Sequence, residues 1–275
     1  MVFLPFYKNS NVPDVKTLKN ILIQAAHEHI PPSNDMGLLD SKAKADGSLV
    51  TRVDAQLQSA IQAALKTQWP EIPMLGEEMT HTEQEGMLGY CENGLWVLDP
   101  LDGTTNFTVG FPMYSLSLAY VRDGRAQQAV IYDPNRRECF TAQRGGGAEL
   151  NGVRLVSPHF SELKDCVANV DYKRLTGVLS ERLVTCPPYR SQRNLGSCVL
   201  EWCWLAAGRI QLYLHGGQQL WDHAAGHLIL EEAGGRASRL EGGPLCANKL
   251  AKQSAVAACS DALYQRWFDW IQQYR

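Results

Sequence analysis

Residues 96–107 read W-V-L-D-P-L-D-G-T-T-N-F, a short apolar run that is followed by two closely spaced carboxylates. The apolar run predicts a buried strand with Asp99 at its carboxyl end, where α/β sheets carry ligand sites. Asp102 adds a second carboxylate, and Gly103 permits close backbone approach. Thr104 and the threonine after it lie at a predicted helix start, where backbone N–H groups and hydroxyls can bind phosphate. Because two carboxylates would repel phosphate, the segment predicts a hard divalent cation such as Mg²⁺.

Two further acidic positions extend this pattern in both directions along the chain. Glu77 lies in M-L-G-E-E (residues 74–78), just after another apolar run. Asp222 lies in W-D-H-A-A-G (residues 221–226), at the start of an apolar helix. The same residues are also compatible with simpler structural roles. Asp99 could form an Asp-Pro turn with a helix cap, Glu77 could belong to a solvated glutamate pair, and Asp222 could complement the helix dipole.

The composition indicates an ordinary globular protein without a polyanion-binding surface. The chain has 275 residues, a formal net charge of −3, 45% hydrophobic residues, and 23 glycines with 13 prolines. This length supports a substantial core, and the glycine and proline content excludes collagen-like and disordered classes. With no basic excess, we expect neither nucleic acid nor an anionic membrane as a partner.

The eight cysteines are scattered and include no C-x-x-C pair, so zinc ribbons and thioredoxin-type sites lack their spacing. A chain of this size does not need disulfides, which favours a reducing compartment. The first residues lack the basic region of a signal peptide, and no apolar run is long enough to span a bilayer. We therefore expect a cytoplasmic protein.

The hydrophobic patterns alternate between helical and extended segments, which predicts a layered, mixed α/β fold. Helical spacing precedes residue 70, strand patterns dominate residues 114–141, and strands and helices alternate from residue 166 onward. No linker or internal repeat interrupts the chain. We predict two packed subdomains, residues 1–145 and 146–275, which meet near Gly145.

In this order, G-E-E, D-P-L-D-G-T-T-N-F and W-D-x-A-A-G resemble the motifs of the inositol monophosphatase family, the Mg²⁺-dependent and lithium-sensitive phosphatases. The resemblance runs from Asp14 nearly to the end of the chain. It implies an αβαβα sandwich of the sugar-phosphatase type, a homodimer, and two or three bound Mg²⁺ ions. It also implies hydrolysis of a phosphomonoester by a water molecule that the metal ions activate.

The resemblance assigns roles to individual residues. It implies a metal site formed by Glu77, Asp99, the Leu101 carbonyl, Asp102 and Asp222. It implies catalytic roles for Glu77, Thr104 and Asp54, and substrate contacts from Asp102, Gly103, Thr104, His215 and Asp222. Residues 44–54 match the family's lysine loop, in which Asp54 partners a threonine. From the residues alone, Thr51-x-x-Asp54 is also a variant of the helix capping box.

The substrate is less well defined than the reaction. Inositol-1-phosphate is the reference substrate, but His215 stands where inositol-selective relatives have a glutamate. Arg190 and Arg193 precede the next helix and are candidates for contacting a phosphate or a second anionic group. Phosphatases for 3′-phosphoadenosine 5′-phosphate, sugar bisphosphates or histidinol phosphate remain alternatives. A different class is a regulatory protein with a vestigial site, because some relatives bind transcription machinery.

Two other motifs suggest chemistry that their context does not favour. Cys203 and Arg209 have the C-x₅-R spacing of cysteine-dependent phosphatases, but the residues between them are apolar helix formers. His223 and His227 have a zinc-like i, i+4 spacing without the glutamate of H-E-x-x-H. We interpret Cys203 as a core residue and the histidines as capping or supporting groups.

We predict that the C203S variant retains nearly all phosphatase activity, because a metal-assisted reaction requires no thiolate nucleophile. The measurement is the rate of phosphate release, with circular dichroism to verify the fold. Loss of turnover in a folded C203S protein would support the cysteine mechanism instead.

Overall fold

A computed structural model describes residues 13–31, 41–43, 49–158, 160–175 and 177–275, and shows a mixed α/β protein. None of the helices in these ranges is both long and apolar enough to cross a membrane. The helices are α1 (Val15–His29), α2 (Arg52–Gln68), α3 (His81–Leu88), α4 (Thr104–Thr108), α5 (Gly177–Thr185), α6 (Cys198–Ala206), α7 (Leu220–Glu232) and α8 (Asp261–Gln272).

Strands form two large sheets and one short antiparallel pair, β1 (Ser41–Ala43) with β2 (Leu49–Thr51). The first sheet has seven strands in chain order, with β3 parallel to β4 and the rest antiparallel. Its strands are β3 (Met74–Gly76), β4 (Leu95–Asp102), β5 (Ser115–Arg122), β6 (Arg125–Asp133), β7 (Glu138–Gln143), β8 (Gly147–Leu150) and β9 (Val153–Arg154).

The second sheet has five strands in the order β11-β10-β12-β14-β13. Strands β10, β11 and β12 are parallel, and β14 pairs antiparallel with β12 and β13. Their bounds are β10 (Val167–Asp171), β11 (Ser191–Arg193), β12 (Leu212–Gln218), β13 (Arg236–Ser238) and β14 (Gln253–Ala258).

The helices and sheets stack in five layers, which confirms the predicted αβαβα sandwich. Helices α1 and α2 cover one face of the first sheet, with Leu22 and Ile61 packed in one cluster with Trp96 and Leu118. Helices α6 and α7 lie between the sheets and contact strands of both. Helix α8 packs on the outer side against β14. Each amphipathic element therefore buries its apolar side against a neighbouring layer.

The change from one sheet to the other falls later than the boundary that we expected near Gly145. The first sheet continues through β8 and β9 to Arg154. The glycine run at 145–147 is a hairpin turn between β7 and β8, and Gly145 and Gly147 have positive φ angles of 74° and 92°. Glycine adopts this backbone region without steric strain, so the run marks a turn rather than a linker. The division into two subdomains stays a prediction.

Helices α6 and α7 approach closely at a glycine. A β-carbon added to Gly226 would lie 2.4 Å from Cβ of Trp202, a distance that real contacts do not reach. Trp202 is fully buried, and its Cβ is next to the backbone, so it cannot rotate away. The spacing of the central helix layer therefore depends on the absence of a side chain at this position.

We predict that G226A lowers the free energy of unfolding by about 1–3 kcal/mol, because overpacking forces the two helices apart. For a protein of this size, this corresponds to a fall in Tm of roughly 2–4 °C per kcal/mol. The matched control is G86A in α3, where nothing lies within 4 Å of the added carbon. Equal thermal shifts in the two variants would contradict the close-packing argument.

Candidate active site

Three buried or half-buried carboxylates meet where β4 ends and α7 begins. Ligand oxygens of Asp99, Asp102 and Asp222 all lie within 4.8 Å of one another. Asp99 is 1% exposed and Asp102 is 8% exposed. The first two side chains come from one strand, whereas Asp222 comes from the first turn of a helix more than a hundred positions later. The fold therefore assembles the acidic cluster that the sequence predicted in separate pieces.

Hydrogen bonds hold each of these carboxylates in position. Asp99 Oδ1 accepts from the backbone N–H of Leu101 at 3.1 Å. Asp102 Oδ2 accepts from the Ser197 hydroxyl and from the Val199 N–H at 2.8 Å. Asp222 Oδ2 accepts from the Gln219 N–H at 2.8 Å in a capping box.

Local backbone geometry turns the end of β4 toward the cluster. The pairing of β4 with β5 shifts register between Asp99 and Asp102, which brings both side chains to the same edge. Gly103 follows with a φ of 91°. A β-carbon there would lie 2.7 Å from the Met113 carbonyl oxygen, so only glycine fits between β4 and α4.

Glu77 joins the cluster from the turn after β3. Its backbone N–H donates to the Leu98 carbonyl at 3.1 Å, which ties this turn to β4. Its carboxyl group forms a hydrogen bond with that of Asp99, a contact that requires a proton between them. Glu77, Asp99, Leu101, Asp102 and Asp222 all line one cavity of about 490 Å³.

Burial makes the charged form of these groups unfavourable. It raises the pKa of Asp99 well above its usual range, and the negative charges of Glu77, Asp102 and Asp222 raise it further. Burial raises the pKa of Asp222 in the same way. For Asp102 burial raises the pKa to about 6, even though the bonds from Ser197 and Val199 oppose the shift.

Such a cluster is tolerable at neutral pH only with protons or cations among the carboxylates. All-oxygen donors at this density are the ligand set that Mg²⁺ prefers. The residues present therefore fit a divalent metal site.

Asp54 connects the helix capping box to the cluster. Its Oδ2 accepts from the N–H of Thr51 at 2.9 Å and from the Thr51 hydroxyl. Its Oδ1 lies 3.1 Å from the hydroxyl of Thr104, which is also 3.1 Å from the Leu101 carbonyl. The capping function and the threonine contact, which the sequence left as alternatives, therefore occur together. Residues 44–48 of the predicted lysine loop lie outside the described residues.

His215 does not line this cavity, contrary to the expectation that it contacts the substrate. It is 2% exposed, and its Nε2 lies 3.0 Å from Asp171 Oδ2 on the neighbouring parallel strand. Its Nε2 also lies 3.4 Å from Arg174 Nη1 and 3.6 Å from Cys198 Sγ, and because these two residues line the cavity, they separate the imidazole from it.

Arg190 and Arg193 also lie outside the cavity lining. Arg190 pairs with Asp165 at 3.0 Å, and Arg193 donates to Ser191 and Gln192 at the sheet edge. Sequence reasoning missed two basic residues that do line it, Arg174 and Lys252. Arg174 follows β10, so the rule that sites lie at strand carboxyl ends identifies it, whereas Lys252 precedes β14 and has no such signal.

Each of the two misleading motifs contributes one residue to the core, Cys203 and His223, whereas Arg209 is exposed and His227 is partly exposed. Cys203 is fully buried, and burial raises the pKa of its thiol well above the usual range, so the thiolate is disfavoured. His223 Nε2 contacts the Gln253 amide at 3.2 Å, and burial lowers the pKa of His223 to about 3. Within the described ranges, the aspartate trio is the one group with metal-ligand geometry.

The layered fold and its acidic cavity place this protein in the sugar-phosphatase structural class. The chain belongs to the inositol monophosphatase family, whose sequence profile matches residues 12–273.

Similar proteins support this assignment. The chain is 35% identical to a Nus factor SuhB of Vibrio cholerae over 236 residues, covering 82% of this chain and 85% of that protein. It is 33% identical to Nus factor SuhB of Escherichia coli K12 over 213 residues, 74% and 77% of the two chains.

Solved structures show the same architecture. The extragenic suppressor protein SuhB of Bartonella henselae superposes with a TM-score of 0.81 at 26% identity, over 94% of this chain and 98% of that one. A Thermotoga maritima IMPase gives a TM-score of 0.79 at 27% identity, over 93% and 95%.

We predict that D99N raises the Tm of the metal-free protein by a few degrees at pH 8. The folded-state pKa of Asp99 is raised, so its charge destabilises the fold increasingly as pH rises from the unfolded value through the folded one. The gain should be smaller at pH 5, because the raised pKa leaves a larger fraction of the native carboxyl protonated at lower pH.

The measurement is thermal unfolding in excess chelator at both pH values. The control is D269N, which changes an exposed aspartate on α8. A D99N protein with unchanged or lower Tm at pH 8 would contradict the repulsion argument.

Proposed function

We propose that this protein is a Mg²⁺-dependent phosphomonoesterase that hydrolyses a small phosphorylated polyol, with inositol-1-phosphate as the reference substrate. The observation that carries this proposal is the buried carboxylate cluster beside the Thr104 hydroxyl in one cavity. The family resemblance and the raised carboxyl pKa values support the same function.

The residues that would hold two or three Mg²⁺ ions are Glu77, Asp99, the Leu101 carbonyl, Asp102 and Asp222. When bound, such ions supply the positive charge that lets a phosphate dianion enter an acidic cavity and that stabilises the leaving oxygen. The protein's own contribution is to fix these ligands before substrate arrives, through the backbone N–H bonds described above.

Thr104 and Asp54 are placed to handle a proton. The Thr104 hydroxyl has a single hydrogen. When it donates this hydrogen to Asp54 Oδ1, the threonine oxygen is free to accept a hydrogen bond from water, and a proton lost by that water can pass through the hydroxyl to the Asp54 carboxylate. Burial raises the pKa of Asp54, which makes this carboxylate a better proton acceptor than an exposed one. With Glu77 at the same cavity, these groups orient the water whose oxygen attacks phosphorus while the ester P–O bond breaks.

A regulatory role is the second candidate, because the SuhB relatives are named Nus factors. In that case the acidic cluster would be a vestigial site, and no phosphate would be released. The homodimer and the cytoplasmic location that the sequence suggests stay predictions. Lithium inhibition is expected as well, since a staphylococcal inositol monophosphatase-1, 25% identical over 92% of this chain and 89% of that one, was solved as a LiCl inhibitory complex (TM-score 0.75).

We expect phosphate release from inositol-1-phosphate to require Mg²⁺, to stop in excess chelator and to fall on addition of Li⁺. T104V should lower kcat by about 10²–10⁴-fold, because it removes the hydroxyl without changing the side-chain shape. The matched control is T67V, an exposed threonine at the end of α2.

The measurement is released phosphate across a panel of phosphomonoesters, including adenosine 3′-phosphate and histidinol phosphate. Full activity in chelator would contradict the metal-dependent mechanism. A folded protein that hydrolyses nothing in the panel would favour the regulatory role.

A further inference from the structure

The catalytic cavity contains two cationic side chains that the hydrolytic reaction does not use. Arg174 ends the short helical turn after β10, and Lys252 precedes β14; both line the cavity with the carboxylates. They are its only Arg or Lys residues within the described part of the chain. Polyol hydroxyl groups can accept hydrogen bonds from these side chains, but only an anionic group would also balance their positive charge.

The two cations are neighbours on one wall. A β-carbon added to Gly217 would lie 3.6 Å from both Arg174 Cδ and Lys252 Cβ, so their stems flank this glycine. A β-carbon at Gly216 would lie 2.0 Å from the Arg174 carbonyl oxygen. The glycine pair at the end of β12 therefore lets the Arg174 backbone approach closely and keeps the space between the two stems open.

A chain of hydrogen bonds orients Arg174. The Gly217 N–H donates to His215 Nδ1 at 3.1 Å, so the proton of the neutral imidazole lies on Nε2. Nε2 is 3.0 Å from Asp171 Oδ2, and this oxygen also accepts a hydrogen bond from Arg174 Nη1 at 3.3 Å. His215 Nε2 also lies 3.4 Å from Arg174 Nη1, so His215 is placed to position Arg174, mainly through the Asp171 carboxylate that both side chains contact.

The charge of this wall is not fully compensated. Burial raises the pKa of Asp171, but the hydrogen bond from His215, with further contacts, holds the pKa at about 2, so Asp171 stays ionised and balances one positive charge. The Arg174 side chain is 45% exposed and lines the cavity, and Lys252, which also lines it, forms no ion pair with the described residues. Once metal ions neutralise the carboxylates, a net positive wall remains.

We propose that Arg174 and Lys252 form a second anion subsite, which selects phosphomonoesters that carry a further phosphate or carboxylate away from the scissile ester. His215 is a positioning residue for this subsite, acting through Asp171. This inference rests on the proposed phosphatase function and narrows its substrate class. Arginine and lysine both bind phosphate and carboxylate, so the experiment must distinguish which of these two groups on the substrate occupies the subsite.

The first test compares matched substrates with spacers of three and six carbons. Each set contains an alkanediol monophosphate, the corresponding bisphosphate, and the phosphorylated hydroxy acid. For R174Q and K252Q we expect kcat/KM for the doubly anionic substrates to fall about ten- to a hundredfold, mainly through KM. The alkanediol monophosphate should change less than about threefold, because its remainder carries no charge to bind.

The matched control is R122Q, which removes an exposed arginine at the opposite end of β5 from Ser115, the strand partner of Asp102. It should leave both substrate types unchanged. A selective loss with the bisphosphate alone identifies phosphate as the second group, and a selective loss with the hydroxy acid alone identifies carboxylate. Equal losses for all substrates, or none, would overturn the subsite.

The second test concerns His215. H215L should weaken the preference for doubly anionic substrates, and H215Q should restore most of it, because glutamine accepts from Gly217 and donates to Asp171. The readout is the ratio of kcat/KM values for bisphosphate and monophosphate. Equal ratios in H215L and the wild type would show that His215 does not position Arg174.

A binding measurement separates failure of the subsite from failure of the proposed function. Isothermal titration with Mg²⁺ compares propane-1,3-bisphosphonate and propylphosphonate, which cannot be hydrolysed. We expect the wild type to bind the bisphosphonate at least tenfold more tightly, and R174Q to lose this advantage. If no substrate is hydrolysed but this preference holds, the phosphatase proposal fails and the subsite stands; without the preference, the subsite fails.

Discussion

The mutual repulsion of buried carboxylates is the constraint around which this structure is built. Asp99, Asp102 and Asp222 bring their oxygens within 4.8 Å of one another in a largely desolvated cavity, with Glu77 bonded to Asp99. Bringing such charges together opposes folding unless protons or metal ions share the site. The core must therefore supply the stability that this site removes, and the extensive five-layer sandwich does so.

Asp102 shows how the site joins the first sheet to the central helix layer. It extends from β4 of the first sheet, yet its carboxylate is held by Ser197 and Val199 at the start of α6. The position of α6 relative to α7 depends in turn on the glycine contact between Gly226 and Trp202. Packing of the central helix layer therefore sets the distance between carboxylates that come from distant parts of the chain.

Several groups at the site serve structure and chemistry together. Asp54 caps α2 with one carboxylate oxygen and accepts the Thr104 hydroxyl with the other. Asp171 links His215 to Arg174, and so connects a buried cross-strand pair to the cavity wall. Opposite charges at the same cavity, acidic for metal ions and basic for a second anion, would account for both the proposed reaction and the proposed selectivity.

Hydrophobic spacing alone predicted a mixed α/β chain with apolar runs that end at acidic residues. The αβαβα arrangement and the roles of those acidic residues were predicted through the resemblance of three motifs to the inositol monophosphatase family. Tertiary structure decided the rest. Whether His215 reaches the cavity depends on which side chains pack against it. Arg174 and Lys252 lie on the same cavity wall only because β10 and β14 lie on either side of β12 in the second sheet. The glycines at 145–147 look like a boundary until strand pairing makes them a hairpin turn. The spacing of hydrophobic residues along the chain specifies which face of each helix or strand is apolar, but only tertiary packing specifies which of these faces come into contact.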